Sequence, residues 1–493
     1  MQEFISLVVL LIIVVISVLV SEFLANKGII GRELSRKLLH IFASLTVVAS
    51  IVIIKNYLIL LAISLVVLGM LAFLISRDLI PSINDRHRKS WGIVFFPFSM
   101  FILLLIYPND RQIIVLSFLI MGFADALAAI FGSRYGRNYF ILVSDKKSLV
   151  GSGVFFAVTL LTVWVSAHWD FFTMLGGVSL AAYSGMELFG IAVISGILLT
   201  AFEMFGAKGS DNILVPLFAS FILYTFGIFY NQELIFNLLT GITLGAIAGV
   251  LSYRLKFLTR DGAMAAFLLA SFVYGYGGWK WTVPILTFFI LSSLISKIRK
   301  MENADVDDYF EKTGTRDYLQ VIANGGLAGS LVLLDYVFRS EMFYLVYIVF
   351  IAAACADTWS TEIGNIFRGK TFSIVSFRQV HPGVSGGVSW QGSLGGLAGS
   401  TAVIFSALSW IDIGGVITLI LFGFAGTVID SIFGATLQRH FVCQSCGIIT
   451  EKSVHCSKPA LSHSGMKYID NDAVNLMACS LVGFAVFIFS YFL

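Results

Sequence analysis

The chain has 493 residues, of which 58% are hydrophobic and 12% charged, with a net charge of +3 and a mean hydropathy of +0.91. Such a ratio excludes a soluble globular domain and marks a polytopic membrane protein. The small net charge says little by itself; the placement of the charges says much more.

Windows of about 17–25 apolar residues predict helices near 4–20, 38–54, 57–76, 92–107, 112–132, 150–167, 186–205 and 213–230. A second set is predicted near 235–253, 262–277, 281–297, 319–338, 342–360, 390–410, 413–433 and 473–492. Residues 1–20 lack a basic segment before the apolar run and an obvious small-residue cleavage site, so they read as a retained first helix rather than a signal peptide. The stretch 171–185 reads as re-entrant or interfacial. The expected architecture is therefore all-α, with about sixteen crossings.

Positive charge sets the orientation. With the loop at 21–37 cytoplasmic and the sides alternating, 28 of the 32 basic residues fall inside; Lys55, Arg111, Lys280 and Arg339 fall outside. The long polar loops share that basic side, where an anionic soluble co-substrate would meet the protein.

Ala124-Asp125 with Gly132 and Ala356-Asp357 with Gly364 repeat one pattern at the ends of two apolar runs. A carboxylate at the rim of a membrane helix is expensive to place and is a functional candidate by default. Other polar landmarks recur at offsets of about 219 to 235 residues, as diverged copies with loop insertions would give. Ser148 with Gly151-Ser152-Gly153 matches Ser385-Gly386-Gly387-Val388-Ser389, and Asp211 matches Asp430. The expectation is two parallel eight-helix repeats, 1–232 and 233–493.

In the first repeat, the loop 133–153 sets Lys146, Lys147 and small residues before a helix start, a plausible phosphate cradle. Asp125 beside it is a candidate Mg²⁺ ligand, with Glu203 and Asp211 as a second acidic cluster. His40 and Asp211 are candidates for acid–base work; His40 also reads as an ordinary helix-cap or interfacial histidine. In the second repeat, Asp357 and Glu362 lie five apart, Arg378 precedes the loop 381–389, and Gln320 and Asn324 lie inside a helix. Asp430 supplies a further carboxylate. Asp470 and Asp472 read equally as helix caps. No Walker A sequence, kinase glycine-rich loop or GxSxG elbow is present. The residues alone point to two sites for a phosphorylated ligand, with Mg²⁺.

Cys443, Cys446 and Cys456, in a predicted cytoplasmic loop at 440–465, have the spacing of a small zinc site completed by one histidine, His463. Free thiols are the alternative. Cys355 and Cys479 read as packing residues.

At these residues the chain resembles two related membrane families. The segment from about residue 30 to about residue 230 resembles the dolichol, phytol and polyprenol kinases through Arg36-Lys37-Leu38-Leu39-His40, Arg88-Lys89-Ser90-Trp91-Gly92, Ala124-Asp125, Lys147-Ser148 with Gly151-Ser152, and Glu203 with Asp211-Asn212. The usual Gly-Asp of that family is Ala-Asp here, which keeps the carboxylate. Residues from about 240 onward resemble the phytyl-phosphate kinase family, long catalogued as an uncharacterised membrane domain. The matching pieces include Gln320, Asn324-Gly325, Asp357-Thr358-Trp359 with Glu362, Gly386-Gly387-Val388-Ser389, Asp430-Ser431 and Asn471-Asp472. The Cys443–Cys456 insertion is not part of the plainest form of that pattern.

The resemblance implies a natural fusion of consecutive kinases: an isoprenoid alcohol is phosphorylated from CTP or another nucleotide, and the monophosphate then becomes the diphosphate. It implies catalytic roles for Asp125, His40, Lys147, Asp211, Asp357, Glu362 and Asp430. Arg36, Lys37, Arg88, Lys146, Ser148, Gly151, Asn212, Arg378, Gly386, Gly387, Ser389, Gln320 and Asn324 would bind nucleotide or phosphate. Mg²⁺ would sit at Asp125, Glu203, Asp357 and Asp430. The expected setting is a prokaryotic plasma membrane or an organelle membrane, with both sites facing the cytoplasm and no nucleic-acid partner. A CTP-dependent lipid cytidylyltransferase and a non-enzymatic isoprenoid-phosphate carrier are the alternatives.

Overall fold

The structure, a computed structural model, describes residues 31–77, 91–169, 174–302 and 315–491, with 16, 20, 23, 24, 27, 28 and 172 besides. All of the expected helix at 4–20 except residues 16 and 20, and Arg88, lie outside the described residues. So does the side chain of Arg36, although its backbone is helical. The chain divides into two compact units, Met1–Phe236 and Asn237–Leu493.

In the first unit, α1 (Arg32–Ile53), α2 (Tyr57–Ser76) and α3 (Gly92–Ile106) precede α4 (Arg111–Tyr135). A short antiparallel hairpin, β1 (Tyr139–Ile141) and β2 (Lys146–Ser148), then leads into α5 (Leu149–His168). α6 (Gly185–Phe205) and α7 (Asp211–Phe229) complete the unit. α4 packs against α1, α5 and α7, and its residues 113–118 are all buried. A π-helical turn at Ile120–Ala124 interrupts α4 just before Asp125, as wide turns often do next to functional residues.

α8 (Gln232–Arg254) leads into the second unit, followed by α9 (Arg260–Glu302), α10 (Tyr318–Phe338) and α11 (Glu341–Phe367). Gly278, at φ 62° and ψ −157°, divides α9 into two helices, a backbone geometry open essentially to glycine alone. A small sheet follows in which β3 (Thr371–Ser373) is flanked by β4 (Gln379–Val380) and β5 (Gly387–Val388). Next come α12 (Trp390–Ser406) and α13 (Val416–Thr436), a cluster of five short strands, and α14 (Asn471–Tyr491). α11 is the central helix, touching α9, α10, α12, α13 and α14, with residues 347–356 all buried.

The protein is thus predominantly helical and integral to a membrane. Among the described residues, eleven helices are long and apolar enough to cross a bilayer, α9 counting once, and Lys37–Ile53 and Gly92–Ile106 are shorter apolar helices. Eleven falls short of the expected sixteen: α9 is two helices divided at Gly278, and α1, α3 and α12 are shorter helices. Of 171–185, residues 172 and 174 are helical and 175–184 form turns and bends, with the Val178 N–H donating to the Asp110 carboxylate at 3.1 Å.

The two helices that carry the twinned Ala-Asp pattern are enclosed ones. The apolar window of α4 is 72% buried and that of α11 67%, against 11% for α2. Their carboxylates therefore face protein rather than lipid.

Candidate active sites

In the first unit, Lys37, His40 and Ser44 are spaced three and four apart, so they share one face of α1. That face lies against the π-turn of α4. A Cβ on Gly122 would sit 2.3 Å from Ser44 Oγ, so the approach of α1 requires glycine there. The result is that Lys37 Nζ lies 2.6 Å from Asp125 Oδ2 and His40 Nδ1 lies 3.4 Å from the same oxygen.

The hairpin brings a second cation to the same place. Lys147 on β2 hydrogen-bonds Glu203 of α6 and lies 3.9 Å from Asp211 Oδ2 at the start of α7. Burial opposes its charge, but Glu203, Asp211 and Asp125 outweigh that and hold its pKa above the ordinary lysine value. Ser148 caps α5 by accepting from the Gly151 N–H at 3.1 Å. Asn212 Nδ2 donates to Gly92 O at 2.7 Å, while its Oδ1 is buried with no hydrogen-bond partner. These groups line a cavity of about 460 Å³ whose walls carry Asp125, Asp145, Glu203 and Asp211 against Lys37, Lys146, Lys147 and Lys208.

In the second unit, a cavity of about 490 Å³ is built on α11. Asp357 of α11 shares this cavity with Asp430 of α13 and with Thr427, one turn before Asp430. Asp430 Oδ2 is buried with no hydrogen-bond partner, and among the described residues no ion pair reaches either carboxylate. Glu362 is treated differently: Ser296 Oγ donates to it at 2.6 Å and Arg299 Nε at 2.8 Å. Ser389 caps α12 through the Gly392 N–H at 3.2 Å. The glycine-rich loop before it is pinned to α13, because Gly386 has φ 78° and a Cβ there would lie 2.9 Å from the Ala435 backbone. Ser385 Oγ donates to Gln438 Oε1, and Gln438 Nε2 donates to Glu451 Oε1, each at 2.7 Å.

The two sites share a local construction. A Cβ on Gly132 would meet Ser148 Oγ at 2.7 Å, and one on Gly364 would meet Ser389 Oγ at 3.2 Å. The glycine seven residues after each aspartate is therefore where the serine-capped helix crosses. Element order changes one expected pairing. Asp430 lies on the second helix after α11, as Glu203 lies on the second helix after α4, so Glu203 rather than Asp211 holds the matching place. Asp211 opens α7, and Asn471 opens the corresponding α14.

Of the expected residues, Lys37, His40, Asp125, Lys146, Lys147, Ser148, Gly151, Glu203, Asp211 and Asn212 line the first cavity. Gln320, Asn324, Asp357, Glu362, Gly386, Gly387, Ser389 and Asp430 line the second. The Gln320 carbonyl is already committed to a capping box, accepting from the Asp317 N–H at 3.2 Å. Arg378 does not line the cavity: it is exposed, between the turn at 374–376 and β4. The cations that line the cavity are Lys256, Lys297, Arg299, Lys300 and Arg316. Arg299 lies in a basic run that reads as a topology signal, and only its spacing of three from Ser296 hints at a shared face. Glu451 gave no signal, because it reaches the site from the cysteine-bearing insertion.

In that insertion, Cys443, Cys446, His455 and Cys456 bring their ligand atoms within 4.8 Å of one another. The histidine is His455 rather than His463, which falls at the bulge where the strand Leu461–Ser464 pairs with His440–Val442. The backbone N–H of Cys446, the side chain of His455 and the N–H of Ser445 hold the Cys443 thiol down at about 6. Hydrogen bonding with Cys446 and Cys443 pushes the Cys456 thiol up to about 11.

Residues 243–483 match the family described as integral membrane protein DUF92. The chain is also similar to Protein PGR of Arabidopsis thaliana, 29% identical over 52% of this chain and 98% of that protein. Protein VTE6, chloroplastic, of the same plant is 23% identical over 45% of this chain and 62% of its own length. A Synechocystis protein named phytol kinase is 26% identical over 42% of this chain and 85% of its own length. No solved structure matches the chain.

Proposed function

We propose that the chain is a bifunctional isoprenoid kinase, with an alcohol kinase in the first unit and an isoprenyl-phosphate kinase in the second, and CTP or another nucleoside triphosphate as donor. The observation that carries this reading is the pair of like-built cavities. Each sets a carboxylate in the second half of an enclosed membrane helix, beside a serine-capped helix N-terminus and a set of cations. The similarity to a protein named phytol kinase supports the substrate class.

The two reactions ask for different groups. In the first, the alcohol oxygen bonds to the γ-phosphorus, the bridging bond to the β-phosphate breaks, and the hydroxyl proton must go to a base. Asp125, held by Lys37 and within 3.4 Å of His40, takes that role in concert with His40. Lys147 and the N–H groups at the α5 N-terminus hold phosphate oxygens. In the second, a monophosphate oxygen bonds to the γ-phosphorus as the bridging bond to the β-phosphate breaks and the nucleoside diphosphate leaves, and no hydroxyl proton needs removal. Its difficulty is repulsion between two anions, and Lys297, Lys300, Arg299 and Arg316 supply the opposing charge.

A magnesium ion fits the second cavity, where among the described residues no ion pair reaches Asp357 or Asp430 and one oxygen is orphaned. Bound there it would neutralise charge on the transferred phosphate. In the first cavity it would compete with Lys37 for Asp125 and with Lys147 for Glu203. Both sites are assigned to the cytoplasmic side because the basic loops lie there.

The test is to incubate membranes holding the protein with labelled CTP and phytol, farnesol or geranylgeraniol, and to weigh the products. Monophosphate followed by diphosphate is expected. A CDP-lipid with released pyrophosphate would instead make it a cytidylyltransferase, and no nucleotide turnover in detergent would leave the carrier reading.

A further inference from the structure

We infer that Cys443, Cys446, His455 and Cys456 hold a zinc ion that braces the hairpin carrying Glu451 to the second cavity.

The two sulfur–nitrogen distances suit a tetrahedral site. A zinc ion with sulfur arms of about 2.3 Å and a nitrogen arm of about 2.0–2.1 Å needs sulfur–nitrogen edges of roughly 3.5 Å. His455 Nδ1 lies 3.5 Å from Cys446 Sγ and 3.3 Å from Cys456 Sγ. All four ligand atoms lie within 4.8 Å of one another. Three sulfurs and one imidazole leave no open position, which is the donor set of a structural zinc site. An iron–sulfur cluster of the common kind would need a fourth cysteine.

The backbone is folded for this. Gly447, at φ 74°, closes a turn in which its N–H donates to Cys443 O at 2.9 Å and the Cys443 N–H donates to Ile448 O at 3.0 Å. The turn puts both thiols of the pair on one side, and the Ser445 N–H donates to Cys443 Sγ at 3.4 Å. Such N–H donors favour a thiolate. The other two ligands sit on the hairpin of Val454–His455 and Lys458–Pro459, where Cys456 and Ser457 both take positive φ. That conformation is costly for residues with a side chain and persists where the surroundings fix it.

Glu451 lies between the two pairs of ligands and is buried at 8% exposure. Through Gln438 it reaches Ser385 of the glycine-rich loop. Fixing the ligands on both sides of Glu451 therefore fixes that chain of hydrogen bonds.

The test uses the full chain, purified in detergent without a histidine tag or chelator. One zinc per chain by elemental mass spectrometry is expected. Cys446→Ser and His455→Ala should drop to background, while His463→Ala, Cys355→Ala and Cys479→Ala keep the metal. Cobalt exchanged into the wild type should show the visible absorption of a tetrahedral thiolate site. A metal-free wild type whose three loop thiols alkylate at the rate of exposed cysteines would overturn the site, as would a disulfide among them. On metal removal, hydrogen exchange should rise together across 448–454 and 383–387; metal loss with no change there would remove the bracing role.

Discussion

The two cavities are built on the same local plan and charged in different ways. In the first unit each principal carboxylate already faces an ammonium, Asp125 on Lys37 and Glu203 on Lys147, and a histidine stands beside Asp125. In the second, Glu362 has Arg299, Asp357 and Asp430 share the cavity with Thr427, and among the described residues no ion pair reaches either of them and no histidine lines the cavity. The difference matches the demands of an alcohol acceptor and of an anionic one. A hydroxyl must lose a proton, whereas a phosphate must be brought against another phosphate.

The sharpest way to break that comparison is to remove one aspartate at a time. Asp125→Asn is expected to cut monophosphate formation about 100-fold or more while leaving added monophosphate to be converted. Asp357→Asn should do the reverse, so that monophosphate accumulates. If both substitutions hit the same step, the assignment of separate acceptors fails.

The ion pairs give the next largest effect. Removing one member of a buried pair leaves the other uncompensated, at about 3–5 kcal/mol. Lys147→Met and Arg299→Met should each lower the melting temperature in detergent, and adding Glu203→Gln or Glu362→Gln should recover part of it. A double variant no more stable than its parent single would show that the pairs carry no such coupling.

A smaller contrast lies at the paired glycines. Gly132→Ala pushes a methyl to 2.7 Å from Ser148 Oγ, whereas Gly364→Ala places one at 3.2 Å from Ser389 Oγ. Overpacking of the first kind costs about 1–3 kcal/mol. At Gly364 the gain in helix propensity, about 1 kcal/mol, should offset most of the strain. Equal melting temperatures would mean that the two helix crossings are not as different as their distances.

The smallest effect concerns what the sites share. Ser148→Ala and Ser389→Ala each remove one cap and should each cost about 1 kcal/mol. Unequal losses would show that one of the serines does more than cap its helix.

Much of this was legible in the residues, for specific reasons. The apolar windows mark the helices because a bilayer demands a minimum run of them, and Asp125 and Asp357 stand out because carboxylates are rare there. Ser148 and Ser389 stand out among small residues just before apolar runs, although that they cap their helices is seen only in the structure. What escaped was mostly choice among near neighbours. His455 and His463 lie in the same loop as the cysteines, and only the hairpin shows which one turns inward. Arg378 looked apt beside the glycine-rich loop, but the turn leaves it at the surface. The pairing of Asp430 with Asp211 followed offset counting, which loop lengths distort, whereas helix order pairs it with Glu203.

By itself the sequence determined that the chain is a helical membrane protein, and where its costly carboxylates fall, because both follow from the bilayer as solvent and need no partner residue. Only the tertiary structure decided which cation each carboxylate meets: Lys37 reaches Asp125 across 88 residues and Arg299 reaches Glu362 across 63. Those meetings depend on close helix crossings, such as that of Gly122 on Ser44. Local periodicity sets which residues share a face, but not which face meets which.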